Sequence, residues 1–316
     1  MLSYLFAILQ SENPKYMLLQ LLFLFALLYL AMVGYKNLVK PFLLQEGFHQ
    51  EANYVLKRNG DIYDHFYADV YDEIHDTEDR SKGPLLRILD ATEPTTANSV
   101  FLDVGSGTGY VVEQLREAGY RAYGIDKSSA MVEYCERTRP TADIKCGDVI
   151  DPMSFENSTF THILCSHFTI YEIENKSRFF QNCYHWLQPN GYLVLHVVDK
   201  SKFDRTMPMD NKTNLWKPLQ RLYGIEPSET KVDFSDYQYH ATYKNSQSNN
   251  VQLTETFTDK ATQRVRQNES TFYMDTIESM IEVAKRNGFL VHAKWDMTEC
   301  GGTDKHQYIY VLERML

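Results

Sequence analysis

The sequence predicts an α/β fold: a mostly parallel sheet with helices on both faces, preceded by a separate apolar segment. Three observations carry this. Between Val100 and Val198 short apolar runs alternate with helical stretches; the first run passes directly into Gly105-Ser106-Gly107-Thr108-Gly109; and residues 16–35 contain no charge. Strands separated by helix-length segments need crossover connections, and crossovers lay helices over a parallel sheet.

The N-terminal run comes first. Twenty uncharged residues, bracketed by Lys15 and Lys36 with Tyr16 and Tyr35 at the ends, make a helix of about 30 Å, the thickness of a bilayer's hydrocarbon core. A cleaved signal peptide is the rival, but the basic start and the small-residue cleavage site are missing. The expectation is therefore a membrane anchor over 1–40 that spans at 16–35. Lys36, Lys40, Lys57 and Arg58 follow the run, whereas Lys15 alone precedes it. The positive-inside tendency then places the bulk of the chain in the cytosol as a single-pass membrane protein. Sequons at Asn157, Asn175, Asn211 and Asn268 would matter only in a lumenal protein.

Residues 41–98 read as a connector followed by helices. Tyr63, Tyr67 and Tyr71 recur at a four-residue spacing, which makes one helical stripe. Gly83-Pro84 punctuates, and Leu85 to Leu89 reads as a second short helix. The alternation then begins. Strands are expected at 100–104, 122–125, 143–146, 161–166 and 192–198, with helices at 107–118, 128–137 and 175–187. After Asp199 the pattern breaks into an insertion at about 200–272, where Val251, Leu253, Glu255 and Phe257 alternate as a half-wet antiparallel strand would. A helix over 274–287 and strands over 289–294 and 307–312 close the chain.

Composition narrows the function classes. A chain of 316 residues with 43% hydrophobic content can build a full core. A net charge of −10 argues against nucleic acid as a partner, because no excess of Lys and Arg is available to neutralise phosphates. The five cysteines are scattered without a Cys-x-x-Cys pair, so neither a zinc site nor a disulfide frame is expected.

Chemistry concentrates at the strand ends. Glycines after a buried strand let a ligand lie directly on backbone, and the following helix turns its free N–H groups toward it. The spacing is Gly-x-Gly-x-Gly, and Tyr110 stands where a dinucleotide fingerprint has Gly or Ala. Asp103 beside the loop suits an amino group better than a pyrophosphate. Asp126 ends the second strand, where a carboxylate accepts ribose hydroxyls. Asp148 follows the third, beside Val149, where it can accept from an adenine amino group. The three acids are separated by 23 and 22 residues and fall on one edge of one sheet, the edge at which open α/β sheets bind ligands.

In Val100-Phe-Leu-Asp-Val-Gly-Ser-Gly-Thr-Gly109, Gly124-Ile-Asp126, Gly147-Asp148 and Leu187-Gln-Pro-Asn-Gly-Tyr192, residues 60–316 resemble the class I, Rossmann-like S-adenosylmethionine-dependent methyltransferases, of small-molecule type. The resemblance implies a seven-stranded sheet with its last strand antiparallel, and S-adenosylmethionine as cofactor. It implies a methyltransferase domain over 99–316, with the insertion as a substrate cover and the 41–98 helices as a lid on the donor. The donor residues it implies are Asp103, Gly105, Ser106, Gly107, Gly109, Asp126, Lys127, Asp148, Val149 and Ser166, with Tyr67 and Tyr71 reaching in from the lid.

The acceptor is less constrained. Methyl transfer is a direct displacement, so alignment matters most, and a hydroxyl acceptor would benefit from a general base. The fourth strand ends in Ser166-His167-Phe168-Thr169-Ile170-Tyr171. His167 is the expected base and Tyr171 the orienting group, acting on a small-molecule N or O acceptor. A lipid or protein acceptor, a catalytically silent membrane-tethered scaffold and, more weakly, an NAD-dependent oxidoreductase are the alternatives. No Asn/Asp-Pro-Pro-Tyr/Phe run follows the fourth strand, which disfavours DNA bases and glutamine as acceptors.

Overall fold

The computed structural model describes Gln20 and residues 23–30, 52–202, 205–209, 229–245, 250–301 and 305–316. The chain divides into two units, Met1–His49 and Gln50–Leu316. In the first, residues 23–30 are helical, and Phe23, Leu24, Phe25, Leu27, Leu28, Tyr29 and Leu30 are all exposed. Among the described residues no helix is long and apolar enough to cross a membrane. The rest of the span expected at 16–35, Gln20 apart, lies outside the described residues, so a transmembrane helix is not supported as an element of this structure.

The second unit is built on a seven-stranded sheet. Its strands are β2 (Val100–Val104), β3 (Arg121–Asp126), β4 (Ile144–Cys146), β5 (Phe160–Cys165), β6 (Leu187–Val198), β11 (Phe289–Asp296) and β12 (Gln307–Arg314), in the order β11-β12-β6-β5-β2-β3-β4. Neighbours from β6 to β4 pair parallel, and β12 lies antiparallel between β6 and β11. Every residue of β2 is buried, as expected of a central strand covered on both faces. The order reverses between β2 and β5, so the crevice at their carboxyl ends is the switch point of the sheet.

Helices α1 (His65–His75) and α2 (Thr77–Thr92) precede the sheet. Asp64 caps α1 by accepting from the Tyr67 N–H, which leaves Tyr63 just outside the helix. Helix α2 runs through Gly83-Pro84, where a break was expected. A Cβ at Gly83 would lie 1.6 Å from the Cys300 carbonyl oxygen. The glycine therefore permits close packing against the turn Met297–Cys300 rather than ending the helix. The helices α3 (Tyr110–Glu117), α4 (Ser129–Thr138), α5 (Thr169–Glu172), α6 (Lys176–Trp186) and α7 (Ile277–Arg286) follow. Helix α3 begins at Tyr110 and not at Gly107, because Gly107 and Gly109 hold left-handed backbone (φ 52° and 85°).

A second sheet has the order β1-β10-β9-β8-β7, with β7 (Glu229–Asp233), β8 (Tyr237–Asn245), β9 (Asn250–Asp259) and β10 (Val265–Tyr273) antiparallel in sequence. The alternation expected across the insertion is present: Val251, Leu253, Glu255 and Phe257 all point inward. The fifth strand was not expected. β1 (Tyr54–Arg58) pairs parallel with β10, so part of what reads as connector belongs to the cover sheet.

Candidate active site

The strand ends meet at one cleft of about 700 Å³. Its walls come from the glycine loop (Gly105, Gly107), β3 and β4 (Asp126, Asp148), α5 (Thr169, Glu172), α1 (Tyr71) and β10 (Ser270, Thr271, Tyr273). Loop and cleft are tightly fitted. A Cβ at Gly105 would come 2.5 Å from the Thr169 methyl, and one at Gly109 2.3 Å from the Cys135 sulfur. All three loop glycines have positive φ, so a side chain is disfavoured by the backbone at each and by close contact as well at Gly105 and Gly109.

Asp126 organises the loop. Its carboxylate accepts the Gly107 N–H at 2.8 Å and the Ser128 N–H at 2.9 Å, one on each oxygen. Each oxygen keeps a second lone pair toward the cleft. Burial raises the Asp126 carboxyl above its ordinary range, and these N–H groups pull against that rise. At the next strand end, Lys127 Nζ lies 2.9 Å from Asp148, which also accepts the Ile150 N–H at 3.0 Å. Burial pushes Asp148 up, but these two donors outweigh it and hold the carboxyl below its usual value. Val149 lines the cleft beside it, with its carbonyl held by Asn182.

Asp103 is buried within β2, and its Oδ1 has no hydrogen-bond partner. Burial first, then the charge of Asp126, pushes its carboxyl up to about 8. A buried, unpartnered carboxylate is costly unless a cation completes it. An ammonium group at the loop would do so.

The site contains a carboxyl that sequence reading passed over. Glu172 closes α5 and faces the cleft, where it accepts from the Tyr63 hydroxyl. Its side chain is exposed to the open space of the cleft while protein surrounds it on the cleft walls. Burial, with Asp126 and Glu255 nearby, pushes it up to about 7 against the lowering effect of Tyr63. Nothing in the sequence separates Glu172 from its neighbours, since only the one-turn helix α5 decides which residue reaches the cleft.

Other expectations are corrected. His167 does not line the donor cleft; it sits between Arg80 (3.4 Å) and Ser81 (3.3 Å) in left-handed backbone. With Ser166 it borders a separate cavity of about 20 Å³, room for water only. Burial, then the Arg80 charge, keeps its imidazole neutral. Tyr171 is fully buried, and its hydroxyl accepts the Val198 N–H at 2.8 Å, a bond that locks α5 onto β6. Tyr67 also turns away, with its hydroxyl 3.0 and 2.9 Å from the two oxygens of buried Glu255. Ser106 packs under β3, where a Cβ at Gly124 would come 2.6 Å from its hydroxyl. Gly109 shapes the loop without lining the cleft. Gly105, Gly107, Asp126, Lys127, Asp148, Val149 and Tyr71 do converge at the cleft, whereas Asp103 stays buried in β2, two residues before Gly105, and does not line it.

A reversed-order parallel sheet, an antiparallel edge pair, a glycine loop and acids at successive strand ends define the class I, Rossmann-like methyltransferase fold, whose cofactor is S-adenosylmethionine. Residues 102–195 match the model of the methyltransferase domain family.

Among curated proteins the chain is 29% identical over 142 residues to the dTDP-4-amino-2,3,4,6-tetradeoxy-D-glucose N,N-dimethyltransferase of Saccharopolyspora spinosa, covering 42% of this chain and 55% of that protein. It is 33% identical over 103 residues to the phosphoethanolamine N-methyltransferase of Plasmodium falciparum, covering 31% and 38%. The chain thus matches about half or less of each relative's length. Similar solved structures include an S-adenosylmethionine-dependent methyltransferase from Clostridium acetobutylicum (TM-score 0.58, 14% identity, 79% and 98% covered). A second is the amino-pentose methyltransferase of Micromonospora echinaspora with S-adenosylmethionine bound (TM-score 0.57, 17% identity, 79% and 96% covered).

The residues present fit the cofactor. The orphaned Asp103 oxygen offers a partner to its amino group, and Asp126, Asp148 and Val149 give the cleft wall acceptors and an apolar side.

Proposed function

We propose that this protein transfers a methyl group from S-adenosylmethionine to a small-molecule acceptor, with nitrogen favoured over oxygen as the receiving atom. The observation that carries the reading is the cleft, where Asp126 and Asp148 line one wall and an unpartnered, buried Asp103 waits beneath the loop. Both curated relatives named above are N-methyltransferases, which supports nitrogen. The bound cofactor supplies an electrophilic methyl group. The protein supplies alignment and a dry wall: Asp126 and the Gly107 N–H hold the loop, and Tyr71 closes over Gly107, 3.8 Å from where a Cβ would stand.

The test is calorimetry of the full chain with S-adenosylhomocysteine. Binding is expected, and Asp126→Ala should weaken it by about 1.5–3 kcal/mol, the worth of hydrogen bonds to a charged group, which is roughly tenfold to a hundredfold in Kd. No binding would remove the methyltransferase reading. Binding without turnover of any acceptor would favour a silent scaffold.

A membrane setting is part of the proposal. The exposed apolar helix at 23–30 suits a lipid surface better than water, and the basic residues that follow the uncharged run favour a cytosolic catalytic unit.

A further inference from the structure

Of the acids that line the cleft, the mechanism so far uses Asp126 and Asp148 and leaves Asp61, Glu172 and Glu174 without a role. On the methyltransferase reading, adenine falls at Asp148, ribose at Asp126 and the methionine end at Asp103, in the order of β4, β3 and β2 along the sheet edge, with β5 next. The next strand end is that of β5, and the turn leading from it places Glu172 in the cleft. That turn touches the methionine end directly, since Thr169 packs on Gly105. The reacting carbon lies between the ribose and the methionine chain, so an acceptor must approach from the side of Glu172.

We propose that Glu172, held by the Tyr63 hydroxyl, binds the acceptor as an ammonium ion, takes its proton and so makes Glu172 a catalytic residue, and that the group held in the cleft is an amine bearing no phosphate or carboxylate there. This rests on the methyltransferase reading above and specifies its acceptor. The charge around the site supports it. Among the described residues the cleft lining carries Asp61, Asp126, Asp148, Glu172 and Glu174 but one cation, Lys127, and Asp148 already engages that cation at 2.9 Å. An acceptor phosphate would meet carboxylates, whereas an ammonium ion meets a ready partner.

The step balances. An ammonium N–H proton moves to a Glu172 oxygen, which leaves the nitrogen lone pair free. The bond from nitrogen to the methyl carbon forms as that carbon's bond to sulfur breaks, and its electron pair goes to sulfur. The product leaves as a methylated ammonium ion, and the proton on Glu172 passes to solvent. An ordinary carboxylate is too weak a base for this, but one pushed up to about 7 is matched to the task. The titratable groups facing Glu172 are Tyr63, Tyr71, Asp126 and Glu255. Tyr63, Tyr67 and Tyr71 lie above their ordinary values and stay neutral. Asp103, pushed up to about 8, is held charged by the cofactor's ammonium group when the cofactor saturates, so under that condition the limb near pH 7 belongs to Glu172.

The experiment measures S-adenosylhomocysteine release by the full chain with ethanolamine, glucosamine, phosphoethanolamine and glucosamine 6-phosphate as probes. The parent amines should be turned over in preference to their phosphate esters, with kcat/KM rising through a limb near pH 7. Glu172→Gln should lose that limb and about 10²-fold in kcat while keeping S-adenosylhomocysteine affinity. Tyr63→Phe, which removes a hydrogen bond that lowers Glu172, should shift the limb to higher pH. Preference for the phosphate esters, a Glu172→Gln variant with an unchanged pH limb, or loss of its S-adenosylhomocysteine affinity would overturn the assignment. So would turnover of none of the four by a protein that binds S-adenosylhomocysteine, and that result would leave the donor reading intact. Failure of the wild-type chain to bind S-adenosylhomocysteine would instead strike the donor reading itself.

Discussion

At the scale of single residues the site is governed by carboxyls in different surroundings. Asp148 has a cation and an N–H donor and lies below its ordinary value, whereas Asp103 has neither and is pushed up to about 8. A raised acid stabilises the fold while it is protonated. For Asp103 that contribution is complete below its unfolded value near 4 and is lost as pH rises through about 8. An ammonium group brought beside it restores the charged form. Binding of S-adenosylhomocysteine at pH 7 should therefore release about one proton from Asp103. The check is calorimetry in buffers of different ionisation enthalpy, where Asp103→Asn should abolish that release and the wild type should show it.

At the scale of elements, the cover sheet is fastened to α1 by a buried ionic network. Arg266 is 1% exposed; its guanidinium donates to both Asp64 oxygens (2.9 and 2.8 Å), to the Ile62 carbonyl (2.9 Å) and to Asn268 (2.9 Å). Glu255 accepts from Tyr239 at 2.7 Å and holds Tyr67. Asp64 is partly exposed and keeps Lys57 at 3.5 Å, so the main loss on removing Arg266 is its set of charge-assisted hydrogen bonds. Arg266→Met should thus cost about 1.5–3 kcal/mol, read as a lower urea midpoint with an unchanged slope. Because Asp64 caps α1, the same change should also weaken S-adenosylhomocysteine binding by loosening Tyr63 and Tyr71. The network explains why the tyrosine stripe divides its work. Tyr67 serves the cover sheet, while Tyr63 and Tyr71 serve the cleft, and a four-residue spacing alone treats all three alike.

At the scale of the whole molecule, the exposed apolar segment at 23–30 is what the proposed membrane setting rests on. If residues 16–35 anchor the chain with the catalytic unit in the cytosol, carbonate-washed membranes should retain the full chain. Its mobility should be unchanged by N-glycosidase, although Asn157 is exposed. Extraction by carbonate would remove the anchor, and a glycosidase shift would invert its orientation.

The strand alternation, the glycine loop and the acids at successive strand ends were legible in sequence, because each is a local feature: a period, a turn requirement, a residue at a fixed place on a strand. From these alone followed the parallel sheet and the donor half of the site. The acceptor half was not legible, because it depends on which side of a one-turn helix faces a cleft. His167 is the more basic residue by type, yet the backbone at φ 50° turns it toward Arg80 and Ser81. Glu172, five residues later, reaches the cavity instead. The pairing of β1 with β10 was hidden for the same reason, since no local pattern marks a strand whose partner lies more than two hundred residues away. Sequence alone determined which strand ends and which glycine loop form the cleft wall. Only the tertiary structure decided which carboxyl stands opposite it, because packing orients side chains that spacing leaves equivalent.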